Sequence, residues 1–281
     1  MRIDSHQHFW DLERFPYPWM PPSPSPIRRN FLPKDLKPIL DRNQFDGCVV
    51  VQATTVDGEA EWLIGLSKEN PFILGVVAWV DLRADKVGER LDALQKYPQF
   101  RGVRHPAHDE DDVRWLLRPE VIRGLKELES RNIPYDLLLR PQHLPVIPEL
   151  AAKLPKLRMV IDHIAKPNIE RSAWDPWADD MERCAKIPGL HVKISGMITE
   201  ADWKSWKPEQ LKSYVQHTIK HFGADRCMFG SDWPVCLLAG EWKEVLAAFT
   251  QAHGPLPQET RSKIMGETAA KFYSLQAPKG A

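Results

Sequence analysis

The chain has 281 residues, 43% of them hydrophobic, with 38 Lys plus Arg against 38 Asp plus Glu. That is enough apolar material for one α/β barrel or two smaller domains, and it leaves no basic excess to favour nucleic acid or an anionic membrane surface as partner. No apolar run reaches membrane-spanning length, Asp4 and two histidines interrupt any leader-like pattern, and Cys48, Cys184, Cys227 and Cys236 form no C-x-x-C pair, so a reducing cytoplasm is the expected setting.

The chain opens on Arg2-Ile3-Asp4-Ser5-His6-Gln7-His8. Successive side chains alternate faces on a strand, so His6 and His8 point the same way and can share a metal ion or a substrate atom. For an isolated pair, two unrelated polar residues at a strand end is an equally simple account. Trp10 follows, then six prolines between residues 16 and 26, with Tyr17, Trp19 and Met20 among them. Proline fixes φ and lacks an N–H, so this stretch is neither helix nor central strand. It reads as a stiff loop over the end of the first strand, with a surface linker as the alternative.

A rhythm then sets in. Helical patterns cover residues 32–43, 58–69, 84–96, 111–131, 143–153, 174–186, 208–222 and 240–252. Between them, apolar runs at 47–52, 72–80, 100–104, 134–139, 157–163, 190–195 and 226–230 read as strands buried on both faces. With the first strand this makes eight βα units, the arithmetic of one (β/α)₈ TIM barrel over residues 1–281. The stretch 257–275 adds one or two closing helices. A doubly wound open sheet is the runner-up, but no G-x-G-x-x-G turn follows any strand.

Barrel enzymes work at the C-terminal ends of their strands. The polar strand ends are His6 and His8, Gln52, Trp79 and Asp81, Arg104 and His105, Arg140, Asp162-His163, Lys193 and Ser195, and Ser231-Asp232-Trp233. Any one of them can simply meet water or cap the next helix. Their joint occurrence is less ordinary. Barrel closure sets the eighth strand beside the first, and so Asp232 beside His6 and His8.

His6-Gln7-His8, Asp162-His163 and Gly230-Ser231-Asp232-Trp233-Pro234 together resemble the amidohydrolase superfamily, and more narrowly its branch of sugar-lactone hydrolases. The opening residues 3–11, Gly102-Val103-Arg104-His105, Val192-Lys193-Ile194-Ser195-Gly196 and Thr268-Ala269-Ala270-Lys271-Phe272-Tyr273 fit the same likeness, which covers essentially the whole chain. The resemblance implies a distorted (β/α)₈ barrel that hydrolyses a small cyclic ester. The branch includes L-fuconolactone, L-rhamnonolactone and pyrone dicarboxylate lactonases. Binuclear members of the superfamily carry a bridging Lys or Glu on the fourth strand and His on the fifth and sixth. Here those strands end in Arg104-His105, Arg140 and His163, so a two-metal site is not expected. One Zn²⁺ or similar divalent ion on His6, His8 and Asp232, with water in the fourth position, is an ordinary catalytic sphere. Metal-free catalysis, as in some relatives, is the other option.

The reaction needs a polarised carbonyl, an activated water and a protonated leaving alkoxide. Asp232 is the expected general base, and Arg104 and His163 are expected to stabilise the oxyanion. His6 and His8 ligate the ion or donate to the carbonyl. Gln52, Arg140, Lys166 and Trp233 are expected to hold substrate hydroxyls, and Trp10, Tyr17, Trp19 and Trp79 to stack on the ring. For Arg140 and Lys166 an ordinary surface charge is the alternative. A metal-dependent, non-oxidative decarboxylase of the same superfamily is the second enzymatic reading, and a catalytically dead barrel that binds ligand is the third. The expected partner is a small molecule, with no nucleic acid or membrane, and the expected state is monomer or homodimer.

Overall fold

The computed structural model describes residues 1–277. Eight strands form one parallel sheet in sequence order: β1 (Ile3–Gln7), β2 (Gly47–Val51), β3 (Ile73–Ala78), β4 (Phe100–His105), β5 (Tyr135–Leu137), β6 (Met159–Ile161), β7 (His191–Ile194) and β8 (Cys227–Phe229). The helices α1 (Pro33–Arg42), α2 (Glu59–Glu69), α3 (Val87–Gln95), α4 (Pro119–Ser130), α5 (Ile147–Lys153), α6 (Trp177–Ala185), α7 (Pro208–Phe222) and α8 (Trp242–His253) each follow one strand. This is the expected (β/α)₈ barrel. None of these helices is long and apolar enough to cross a membrane.

The helix expected over residues 111–131 is divided. A 3₁₀ turn at Trp115–Leu117 precedes α4, which begins at Pro119. Proline at the first helical position lacks only an N–H that has no intrahelical partner there, so it marks a helix start. The helix expected over 143–153 likewise opens with a 3₁₀ stretch, Pro141–Val146.

The barrel is distorted at the seam between β8 and β1. Short bonds replace a ladder there: Ser5 Oγ donates to Phe229 O at 2.6 Å, Asp232 N to His6 O at 2.8 Å and His8 N to Trp233 O at 2.7 Å. Gly230 permits this approach, since a Cβ there would stand 2.7 Å from His6 Cβ. The buried Asp4 carboxylate fixes the next turn. It accepts Ser231 N at 2.8 Å, Ser231 Oγ at 2.5 Å and Trp242 Nε1 at 2.9 Å.

One apolar cluster lies between sheet and helices, and a second lies within the barrel. The inner one joins Ile3, Val49, Val51, Val77, Val160 and Met228 to Ala269, Phe272, Tyr273 and Leu275. The closing segment runs through α9 (Gln258–Ser262), a π turn at Lys263–Glu267 and α10 (Thr268–Phe272), and it is α10 with the residues just after it that packs against the inner faces of the strands. From there Tyr273 Oη reaches Asp136 Oδ2 on β5, to which it donates at 2.7 Å.

Candidate active site

The strand ends converge on a cavity of about 670 Å³ lined by His8, Trp19, Gln52, Arg104, Arg140, His163, Lys166 and Asp232, among others. His6 stands directly behind this surface, fully buried. His6 Nε2 and His8 Nε2 are 3.2 Å apart. Asp232 Oδ1 lies 3.3 Å from His8 Nε2, 3.8 Å from His6 Nε2 and 3.9 Å from His163 Nε2. The sequence expectation that Asp232 adjoins both histidines therefore agrees with the geometry.

Asp232 and His163 are held by unusual backbone. Asp232 has φ +57°, and His163, Ile164, Ala165 and Lys166 all have φ between +46° and +61°. Left-handed backbone costs roughly 1–2 kcal/mol per non-glycine residue, and such strain persists where the surroundings over-determine it, often at functional sites. Here the left-handed turn brings both His163 and Lys166 to the cavity. Gly196, at φ +63°, clears space for the imidazole, because a Cβ there would be 2.6 Å from His163 Nδ1.

The electrostatics follow from burial among charged neighbours. Burial pushes the His6 imidazole well below its ordinary value, and pushes His163 down to about 3. Burial raises the Asp232 carboxyl, but the imidazoles around it, His163 first, outweigh this and hold it below the usual carboxylate range. Asp162 is likewise held far below that range. Burial opposes its ionisation, and Lys193, His6 and Arg104 override it. His8 Nδ1 donates to Val51 O at 2.7 Å, which orients the ring so that Nε2 faces Asp232 Oδ1 at 3.3 Å.

Beneath the histidines lies a layer of ions. Lys193 Nζ donates to Asp136 Oδ2 at 2.5 Å and stands 3.1 Å from Asp162 Oδ1 and 3.2 Å from His6 Nδ1. Arg104 Nη1 reaches Asp162 Oδ2 and His6 Nε2, each at 3.3 Å, and its Nη2 donates to Gln52 O at 2.5 Å. Asp136 and Asp162 pair with Lys193 and Arg104 in this layer, and Asp232 beside the histidines adds a third carboxylate, against two fixed cations. This layer favours a further cation.

The donors fit a divalent ion. His6, His8 and Asp232 each offer a ligand atom, all within 4.8 Å of one another. Zinc bonds of roughly 2.0–2.2 Å in a tetrahedron imply ligand spacings of about 3.3–3.6 Å, and the observed 3.2, 3.3 and 3.8 Å bracket that range.

Four expected ring-stacking or substrate-holding residues do not line the cavity. Trp10 packs on Phe31, Trp233 on Phe31 and Phe9, and Tyr17 beside Trp10. These rings form a small core that anchors the Pro-rich loop and leaves Trp19 facing the cavity. Trp79 donates to His105 Nδ1 at 3.1 Å in a neighbouring cluster where His105 stacks on Trp115. Arg140 and Lys166 do line the cavity, and Lys166 pairs with Glu200 at 2.5 Å. Trp203, His108, Asp109 and Glu200 also line it, and the sequence reading missed them because they sit on loops away from the apolar runs.

The Amidohydro_2 amidohydrolase family model matches residues 3–275. An L-fucono-1,5-lactonase of Burkholderia ambifaria is 34% identical over 288 residues, 99% of this chain and 97% of that protein. Another, from Burkholderia multivorans, is 34% identical over 292 residues, covering 100% and 98%. A Burkholderia multivorans amidohydrolase solved with bound zinc superposes with a TM-score of 0.90 at 34% identity, covering 98% of this chain and all of that one.

Proposed function

Because the chain belongs to the amidohydrolase family, we propose that it is a lactonase that opens a sugar 1,4- or 1,5-lactone by hydrolysis. The observation that carries this reading is Asp232. It is an ionised carboxylate ringed by three imidazoles, with Arg104 close by, at the base of a cavity with a polar rim. Its relatives named as L-fucono-1,5-lactonases support the substrate class.

The nearest approach of all three imidazoles is to Oδ1, which leaves Oδ2 to take a proton from water. Water attacks the lactone carbonyl as Asp232 accepts that proton, and Asp232 then passes it to the ring oxygen as the C–O bond breaks. The Ser195 hydroxyl donates to His163 Nδ1 at 2.9 Å and sets the His163 proton on Nε2. His163 Nε2–H and Arg104 then face the developing oxyanion. Gln52, Arg140 and Lys166 bind substrate hydroxyls, and Trp19 stacks on the ring. His6, His8 and Asp232 would hold a divalent ion, which would supply Lewis-acid polarisation of the carbonyl and acidification of a water.

The test is proton release from a panel of aldono-1,4- and 1,5-lactones, with metal analysis on the same sample. Ring opening with up to one equivalent of divalent metal is expected, and replacing His6 and His8 together by Ala should abolish metal retention. Two equivalents per chain would contradict the ligand set. No lactone turnover, or carbon dioxide release from aromatic acids in its place, would overturn the lactonase reading.

A further inference from the structure

Of the eleven tryptophans, only Trp19, at 40%, and Trp203, at 45%, are exposed, and both line the same cavity. Each has its one polar atom occupied: Trp19 Nε1 donates to Ala53 O at 2.6 Å and Trp203 Nε1 to Thr199 O at 2.9 Å. The indoles are thus tethered by their edges while much of each ring stays open. Large apolar surface left exposed at a cavity marks a place for a ligand. Trp19 follows β1 and Trp203 follows β7, so Asp232, which follows β8, lies between them in barrel order.

The surroundings of Trp203 are polar. Thr199 and the Lys166–Glu200 pair share its stretch of the lining, with the His108–Asp109 pair elsewhere on the rim. Lys166 and His108 already face carboxylates and Arg140 adds one guanidinium, so this rim offers both donors and acceptors to hydroxyls. An open indole beside fixed hydrogen-bonding groups suits a sugar ring, which offers C–H groups to the π face and hydroxyls at its edge. The cavity, about 670 Å³, lies well inside the range of roughly 300–1,000 Å³ that holds drug-sized ligands, and it has more room than one lactone ring fills.

We propose that Trp203 forms a second sugar subsite, and that the preferred substrate is a lactone carrying a further glycosyl unit, an aldobionolactone. This rests on the lactonase reading above. The lactone ring sits at Asp232 against Trp19, and the outer sugar stacks on Trp203.

The experiment compares kcat/KM for a panel of disaccharide aldonolactones, including cellobiono- and lactobiono-1,5-lactone, with that for glucono-1,5-lactone and other monosaccharide lactones. The wild type should favour at least one disaccharide lactone by about tenfold or more, chiefly through KM. In Trp203→Ala that preference should fall to near unity, and Trp203→Tyr, which keeps an aromatic face, should retain most of it. Monosaccharide lactones hydrolysed as well as every disaccharide lactone would overturn the subsite and leave the lactonase reading standing. An undiminished preference in folded Trp203→Ala would also overturn it. No turnover of either class would remove the lactonase reading itself.

Discussion

At Asp232 the carboxylate is kept ionised by its neighbours, the form a general base needs. Asp232→Asn preserves shape and removes basicity. Its kcat should fall on the order of 10²-fold or more, the usual scale for a positioned acid–base group, with circular dichroism unchanged. A folded variant with near-wild-type kcat would remove Asp232 from the mechanism. Glu59 offers a second test. Its Oε1 accepts Ala53 N at 2.9 Å and Thr54 N at 3.1 Å, and burial pushes its carboxyl from 4.5 up to about 8. The folded chain thus keeps a proton that the unfolded chain releases. This contribution to stability is full below about pH 4.5 and is lost as pH rises through about 8. Glu59→Gln removes the titration, so between pH 5 and 8.5 wild type should lose stability relative to the variant, by up to a few kcal/mol. Parallel melting curves across that range would refute it. The histidines and Asp232 were legible because each ends or follows an apolar run. Lys193 was legible as a polar strand end but its role in an ion layer was not, and Asp136 was hidden, because within a barrel strand it occupies an inward position that looks apolar by context. Their partners come from distant strands, and no local pattern reveals them.

The Pro-rich loop was legible as an element: stiff, irregular and folded over the first strand. Which of its rings meets the cavity was not, because that depends on the core formed by Trp10, Tyr17, Phe31 and Trp233. With Trp19 as the loop's indole on the cavity, Trp19→Ala should raise KM several-fold and leave kcat little changed, the pattern of lost uniform binding. An unchanged KM would place that ring outside the substrate's reach. The turn after β6 was illegible for a different reason. Sequence signals for left-handed backbone are glycine and asparagine, and His163-Ile164-Ala165-Lys166 contains neither. Tertiary contacts impose its shape, among them the bond from Trp177 Nε1 to Ile164 O at 2.7 Å.

Across the whole molecule, the eight βα periods announced the barrel, since continuous apolar runs and amphipathic segments alternate at regular intervals. The seam and the inner packing of the closing segment depend on contacts between the first residues and the last, which periodicity does not encode. Tyr273→Phe tests how far that inner packing supports the ion layer. It removes the donation to Asp136 and leaves Lys193 as that carboxylate's partner. A loss of about 1–2 kcal/mol is expected, read as a melting temperature lower by a few degrees. No loss would make the hydroxyl incidental.

The same segment bears on the order of assembly. A chain synthesised from its N-terminal end makes His6 and His8 first, and Tyr273, which touches the ion layer under them, more than 200 residues later. Until Phe272 and Tyr273 are in place the Lys193–Asp136 pair would lack their cover, and solvent would screen the charges that later hold His6 and Asp162 in place. Competence would then arrive late and in one step, when residues 268–275 dock. Cargo fused directly after residue 275 would impede that docking more than the same cargo placed before residue 1, and the difference should appear as a slower gain of activity after synthesis.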